Sequence, residues 1–84
     1  RILVMIEYLN HEVRSWLERK GLEEDVMSHR DDNLYIEVDD VEEAFKLRSM
    51  MLDYHDCRLI AHPEKKTPVL EVFGVMKERL VGLT

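Results

Sequence analysis

The segment Leu34-Tyr35-Ile36-Glu37-Val38 constrains this chain more than any other stretch. Apolar and other side chains alternate along it, a period that suits a β-strand covered on one face and does not suit a helix. Asp31-Asp32-Asn33 precede it as turn formers, since Asp and Asn tolerate left-handed backbone and bond their own main chain. Asp40, with Glu43 three residues later, follows it as a capping box at the mouth of a helix. A strand that arrives through a turn and leaves into a helix needs neighbouring strands and one covering layer, which is the α+β solution.

The other segments fill in that plan. Ile-Leu-Val-Met-Ile at residues 2–6 is an unbroken apolar run and reads as a central strand buried on both faces. Asn10 offers an N-cap, Val13, Trp16 and Leu17 follow at helical spacing, and Arg19 and Lys20 precede Gly21, a complete helix signal. Residues 26–29 read as the first arm of a hairpin that turns at residues 30–33. Beyond Asp40, the residues Val41, Ala44, Phe45, Leu47, Met51 and Tyr54 recur mainly every three or four positions as the apolar face of a second helix. Met50 and Met51 are adjacent there, so only one of them can face the sheet squarely.

Residues 57–62, short, largely apolar and stopped by Pro63, fit a further strand. Thr67-Pro68 opens a last segment that reads in two ways. The favoured reading is a helix with the stripe Val69, Phe73, Met76 and Leu80; the other is a strand over residues 68–73 and a short helix after Gly74. The order strand, helix, strand, strand, helix, strand is the ferredoxin-like split βαβ layout, βαββαβ, a two-layer sandwich here extended by a C-terminal helix. At 84 residues the chain is expected to form one domain over residues 1–84.

Charge is distributed unevenly. The total is −6, but residues 21–44 hold ten acids and one base, whereas the segments on either side are mildly basic. Nucleic-acid binders gain affinity by replacing condensed counterions with Lys and Arg, so an acidic block of this kind argues against nucleic acid. It would instead steer a basic protein surface. The lone cysteine cannot form an internal disulfide and points to a reducing, cytoplasmic setting. No apolar run has the roughly 18 residues of a membrane span.

Residues capable of chemistry have structural roles first. His55, Cys57 and His62 are zinc-compatible, yet their spacing matches no finger pattern, and strand alternation sends Cys57 and His62 to opposite faces. Asp31, Asp32, Asp39 and Asp40, with Glu7, could hold Mg²⁺, but turns and caps already account for most of them. Ser15 and Ser49 lie within helices, and Gly21, Gly74 and Gly82 are isolated, so neither a nucleophile elbow nor a phosphate loop is present. No catalytic residue, metal ligand or cofactor is assigned. The layout resembles that of the small ferredoxin-like CRISPR spacer-acquisition family, whose first strand runs into a metal-binding aspartate; Glu7-Tyr8 stands at that place here.

The leading functional reading is a small regulatory or adaptor domain that binds another protein with a basic surface. Its expected contact residues are Asp31, Asp32, Tyr35, Glu37, Asp39, Asp40, Glu43, Phe73 and Met76. Self-association into a dimer accompanies that reading. The second reading is a metal-dependent phosphoesterase or nuclease acting as a dimer through Glu7, Asp31 and Asp32. A third is an ACT-type small-ligand sensor.

Overall fold

The apolar run at the start of the chain is helical. In the computed structural model, which describes residues 2–20 and 27–75, α1 spans Ile2–Glu7 and α2 spans His11–Lys20. This corrects the expected first strand. Five apolar residues in a row satisfy a buried helix as well as a buried strand. Here Met5 and Leu9, four apart, both reach the core while Val4 faces outward. Bonds from the Tyr8 N–H to the Met5 carbonyl (3.0 Å) and from the Leu9 N–H to the Ile6 carbonyl (3.1 Å) tighten the end of α1. Asn10 then caps α2 as expected, its Oδ1 accepting the N–H groups of Glu12 (2.9 Å) and Val13 (3.2 Å).

Strands β1 (Met27–Arg30) and β2 (Asn33–Glu37) form the hairpin, with Arg30 opposite Asn33 across Asp31-Asp32. Asp31 sits at φ 55, the left-handed conformation that Asp tolerates in a tight turn. Helix α3 (Val41–Leu52) starts at Asp40, whose carboxylate accepts the Glu43 N–H at 2.9 Å. Strands β3 (Cys57–Ala61) and β4 (Pro68–Val72) follow.

The second correction falls on residues 68–73, where the favoured helix is in fact β4. The expected stripe residues Met76 and Leu80 lie outside the described residues. β4 occupies an interior place in the sheet, whose order is β1-β2-β4-β3 with every neighbouring pair antiparallel. An interior strand buried on both faces shows no alternation, and Val69, Leu70, Glu71 and Val72 are all buried. Pro68 is tolerated because it opens the strand: its carbonyl accepts the Val38 N–H at 3.0 Å, and only the reciprocal bond is lost. Gly74, at φ 54, turns the chain away after β4 and donates its N–H to Asn33 Oδ1 at 3.0 Å.

The element order is therefore α1-α2-β1-β2-α3-β3-β4 and not βαββαβ. What holds is a small α+β fold with a four-stranded antiparallel sheet and helices. β2 and β3 run parallel to each other with β4 between them, so that β2-α3-β3 is a split crossover.

One sheet face carries the rows Met27-Ile36-Leu70-Leu59 and Leu34-Val72-Cys57, and it packs with Met5 of α1, Leu9 of the link, and Val13, Trp16 and Leu17 of α2. α3 uses its four sides differently. Ala44, Leu47 and Met51 enter the core, and Met50 packs partly buried against it. Glu43 and Lys46 turn toward α2, where Lys20 Nζ lies 2.6 Å from Glu43 Oε1 and 5.8 Å from the Trp16 ring centre. By helical spacing Glu42, Ser49 and Asp53 then point to solvent, and Val41, Phe45, Arg48 and Leu52 point sideways over β3.

Val41, Phe45 and Tyr54, expected to be buried, are 55%, 53% and 55% exposed. Leu47→Ala is accordingly expected to cost about 2–5 kcal/mol in denaturant unfolding, and Phe45→Ala about 0.5 kcal/mol or less. Equal costs would contradict this facing of α3.

Candidate interaction surfaces

The structure disperses the expected contact residues. Asp31 and Asp32 lie in the hairpin turn at one end of β2, while Asp39, Asp40, Glu42 and Glu43 lie at the start of α3 at the other end. The five residues of β2 put roughly 17 Å between the two groups. Glu23, Glu24, Asp25 and Met76 lie outside the described residues. The acids are also engaged unequally. Glu37 Oε1 is 3.0 Å from Lys65 Nζ and 3.8 Å from His62 Nε2. Glu43 pairs with Lys20 and Asp40 caps α3, so the outward-facing negative charge gathers around Asp39, Asp40 and Glu42.

The sheet face away from the described helices holds a polar row that crosses all four strands: Ser28, Tyr35, Glu71 and Arg58. Glu71 is its centre, only 7% exposed. Arg58 Nε donates to Glu71 Oε1 at 2.6 Å, and the Tyr35 hydroxyl bonds the same carboxylate from the other side. Arg58 also lies 5.6 Å from the centre of the Phe73 ring. Burial pushes the Glu71 carboxyl up, but the Arg58 and Tyr35 bonds outweigh it and hold the group below the ordinary 4.5. The bond to Glu71, then burial and the Glu71 charge, hold the Tyr35 phenol above the ordinary 10.0. The helical reading of residues 68–73 hid this row. Read as a strand, the segment aligns Glu71 with Val69 and Phe73 by alternation, and an acid flanked by apolar residues there was the available signal.

The second surface is apolar. Val41 and Phe45 of α3, with Leu59, Ile60 and Ala61 of β3 and Pro68, line a shallow, mainly apolar groove along one side of the molecule, together with Lys66 and Thr67. Leu52, 44% exposed, continues the strip toward the end of α3. β3 is the last strand on that side among the described residues, so this strip borders a sheet edge.

Residues that could have carried chemistry are placed apart. Among the described residues, no three His, Cys, Asp or Glu side chains gather in a geometry that could hold a metal ion. Cys57 is buried with its Sγ 3.9 Å from the Arg48 carbonyl, whereas His62 Nδ1 accepts the N–H groups of Glu64 and Lys65, both at 3.0 Å. Glu7 is exposed on α1 and does not end a strand. No described helix is long and apolar enough to cross a membrane. Compared with known proteins, the chain matches no family model, no curated protein and no solved structure.

The Glu71 row has a pH signature. The folded state binds the Glu71 proton less readily than the unfolded state, so its stabilisation is complete above the unfolded carboxylate value and is lost as pH falls through the lowered folded value. Tyr35 contributes in the opposite sense, fully below 10.0 and progressively less as pH rises through its raised value. Wild-type unfolding free energy is expected to fall below pH 4.5 with a component that Glu71→Gln lacks. Equal acid slopes in the two proteins would remove Glu71 from the titration.

Proposed function

We propose that this chain is a small acidic regulatory or adaptor domain that works by binding another protein. The observation that carries the reading is how side chains are used. Asp40, Glu43, Glu37, Glu71 and Arg58 are engaged in caps and ion pairs that hold the fold, while Val41, Phe45 and Leu52 stand exposed in one line beside the acidic start of α3. Aligned exposed apolar side chains rimmed by charge are the usual mark of a docking surface. The acids at Asp39, Asp40 and Glu42 would draw a partner with a basic rim toward it. Asp31 and Asp32, at the far end of β2, contribute little to that field within a Debye length of about 8 Å.

Affinity capture with the immobilised domain, followed by association kinetics with the captured protein at rising salt, tests this reading. The on-rate is expected to fall by about tenfold or more between low and physiological salt. The pair Asp39→Lys and Glu42→Lys, which spares the Asp40 cap, should slow association further, whereas Asp31→Lys should leave it within about twofold. An on-rate that ignores the Asp39 and Glu42 reversals would remove the steering role. Calorimetric titration with Mg²⁺ or Mn²⁺ is expected to give no saturable heat; saturable binding would favour the phosphoesterase reading instead.

A further inference from the structure

On the side of α3 away from Val41 and Phe45, α2 and α3 flank a cleft of about 500 Å³ lined by Glu12, Trp16, Arg19, Lys20, Lys46 and Met50. Sites that hold small ligands occupy roughly 300–1,000 Å³. In a chain that totals −6, three cations meet here. Arg19 and Lys20 end α2, and Lys46 stands on the second turn of α3. Lys20 is paired with Glu43 at 2.6 Å. Arg19 and Lys46 enter no ion pair among the described residues.

Trp16 adds a third donor. It is 7% exposed, with Lys20 Nζ 5.8 Å from its ring centre, and its indole N–H has no hydrogen-bond partner among the described residues. Buried indole N–H groups usually find an acceptor. The cleft thus brings together donors in excess of acceptors, and an oxyanion, which only accepts, is their complement. The neighbouring acids limit its charge. Glu12 lies about 10 Å along α2 from Arg19, and Asp40, Glu42 and Glu43 border Lys46 on its other side. Acids at that range oppose a ligand with two or more negative charges more strongly than one with a single charge. Met50, polarizable and adaptable, gives the cleft an apolar contact.

We infer that this cleft binds a small organic carboxylate, which accepts from Arg19, Lys46 and the Trp16 indole N–H and lays its apolar body against Met50. The planar fork of Arg19 can meet both carboxylate oxygens, and Lys46 serves as a point charge from the opposite helix. The bound anion also offsets the mutual repulsion of the three cations. Because its contacts come from both α2 and α3, the ligand binds the folded chain and raises its unfolding temperature with concentration. This site is separate from the apolar strip over β3 and does not depend on it.

Trp16 is the one tryptophan of the chain, so a proton–nitrogen correlation spectrum of the isotope-labelled full chain carries a single indole cross-peak that reports on the cleft. Phenylacetate, titrated at constant ionic strength, is the probe. It is expected to move that cross-peak downfield along a saturable curve with a Kd of about 1 mM or tighter. Phenylacetamide, which keeps the body without the charge, and acetate, which keeps the charge without the body, should each bind about tenfold more weakly or worse. Arg19→Gln and Lys46→Gln, both at exposed helix positions, should each weaken phenylacetate by about fivefold or more with circular dichroism unchanged. Glu12→Gln should tighten it, and Arg30→Gln, an exposed cation on β1, should leave it within about twofold. A shift that stays linear to about 20 mM, an equal response to phenylacetamide or acetate, or undiminished binding by both cation variants overturns the proposal. Tighter binding of phenyl phosphate than of phenylacetate overturns the choice of a carboxylate.

Discussion

The insertion of β4 between β2 and β3 is the interaction on which the remaining architecture rests. β2 and β3 run parallel and are joined by α3, but β4 lies between them, so each bonds β4 as its antiparallel neighbour and not the other. β4 supplies both ladders and brings Leu70 and Val72 to the core face. Interior burial of this kind is worth about 1.5–3 kcal/mol for each large apolar side chain. On the opposite face the same strand sets Glu71 between Tyr35 and Arg58. The apolar core and the polar row are thus two sides of one five-residue strand.

Amphipathic segments were the legible part of this sequence. The alternation of Leu34, Ile36 and Val38, the turn at Asp31-Asp32, the Asp40 cap, the Asn10 cap and the strand after Asp56 all carry patterns produced by a single covered face. Residues 2–6 and 68–73 do not. In the first, all five residues are apolar although α1 leaves Val4 exposed, and in the second the strand is buried on both faces. Periodicity conveys no information when no polar residue marks the exposed face, or when the strand has none. Pattern alone exchanges strand and helix between these two segments, and the ferredoxin-like order follows from that exchange. The candidate surfaces were legible in part: Tyr35 and Phe73 were visible as exposed-strand or stripe residues, while Glu71, Arg58 and the exposure of Phe45 depended on where β4 lies.

Charge tells a related story. In sequence the acids form one block, but a strand of five residues carries its two ends apart, and ion pairs with Lys20 and Lys65 offset part of the charge at the α3 end. The field that a partner meets is set by the acids left outside these pairs. Linear charge density is therefore a weak guide to surface potential wherever a strand crosses the block.

The position of β4 also has a kinetic consequence. The strand that unites the sheet is synthesised after both of its neighbours, and its pairing with β2 spans α3 and β3, so the decisive contacts are of long range and slow to form. Until residues 68–72 emerge, the β1-β2 hairpin and the α3-β3 unit have no common ladder, and β2 and β3 each present an unpaired edge. Nascent chains of this protein would pass through an interval in which those edges are open to wrong partners. The hairpin and α3 can form locally in that interval, so the arrival of β4 would act as the commitment step of folding.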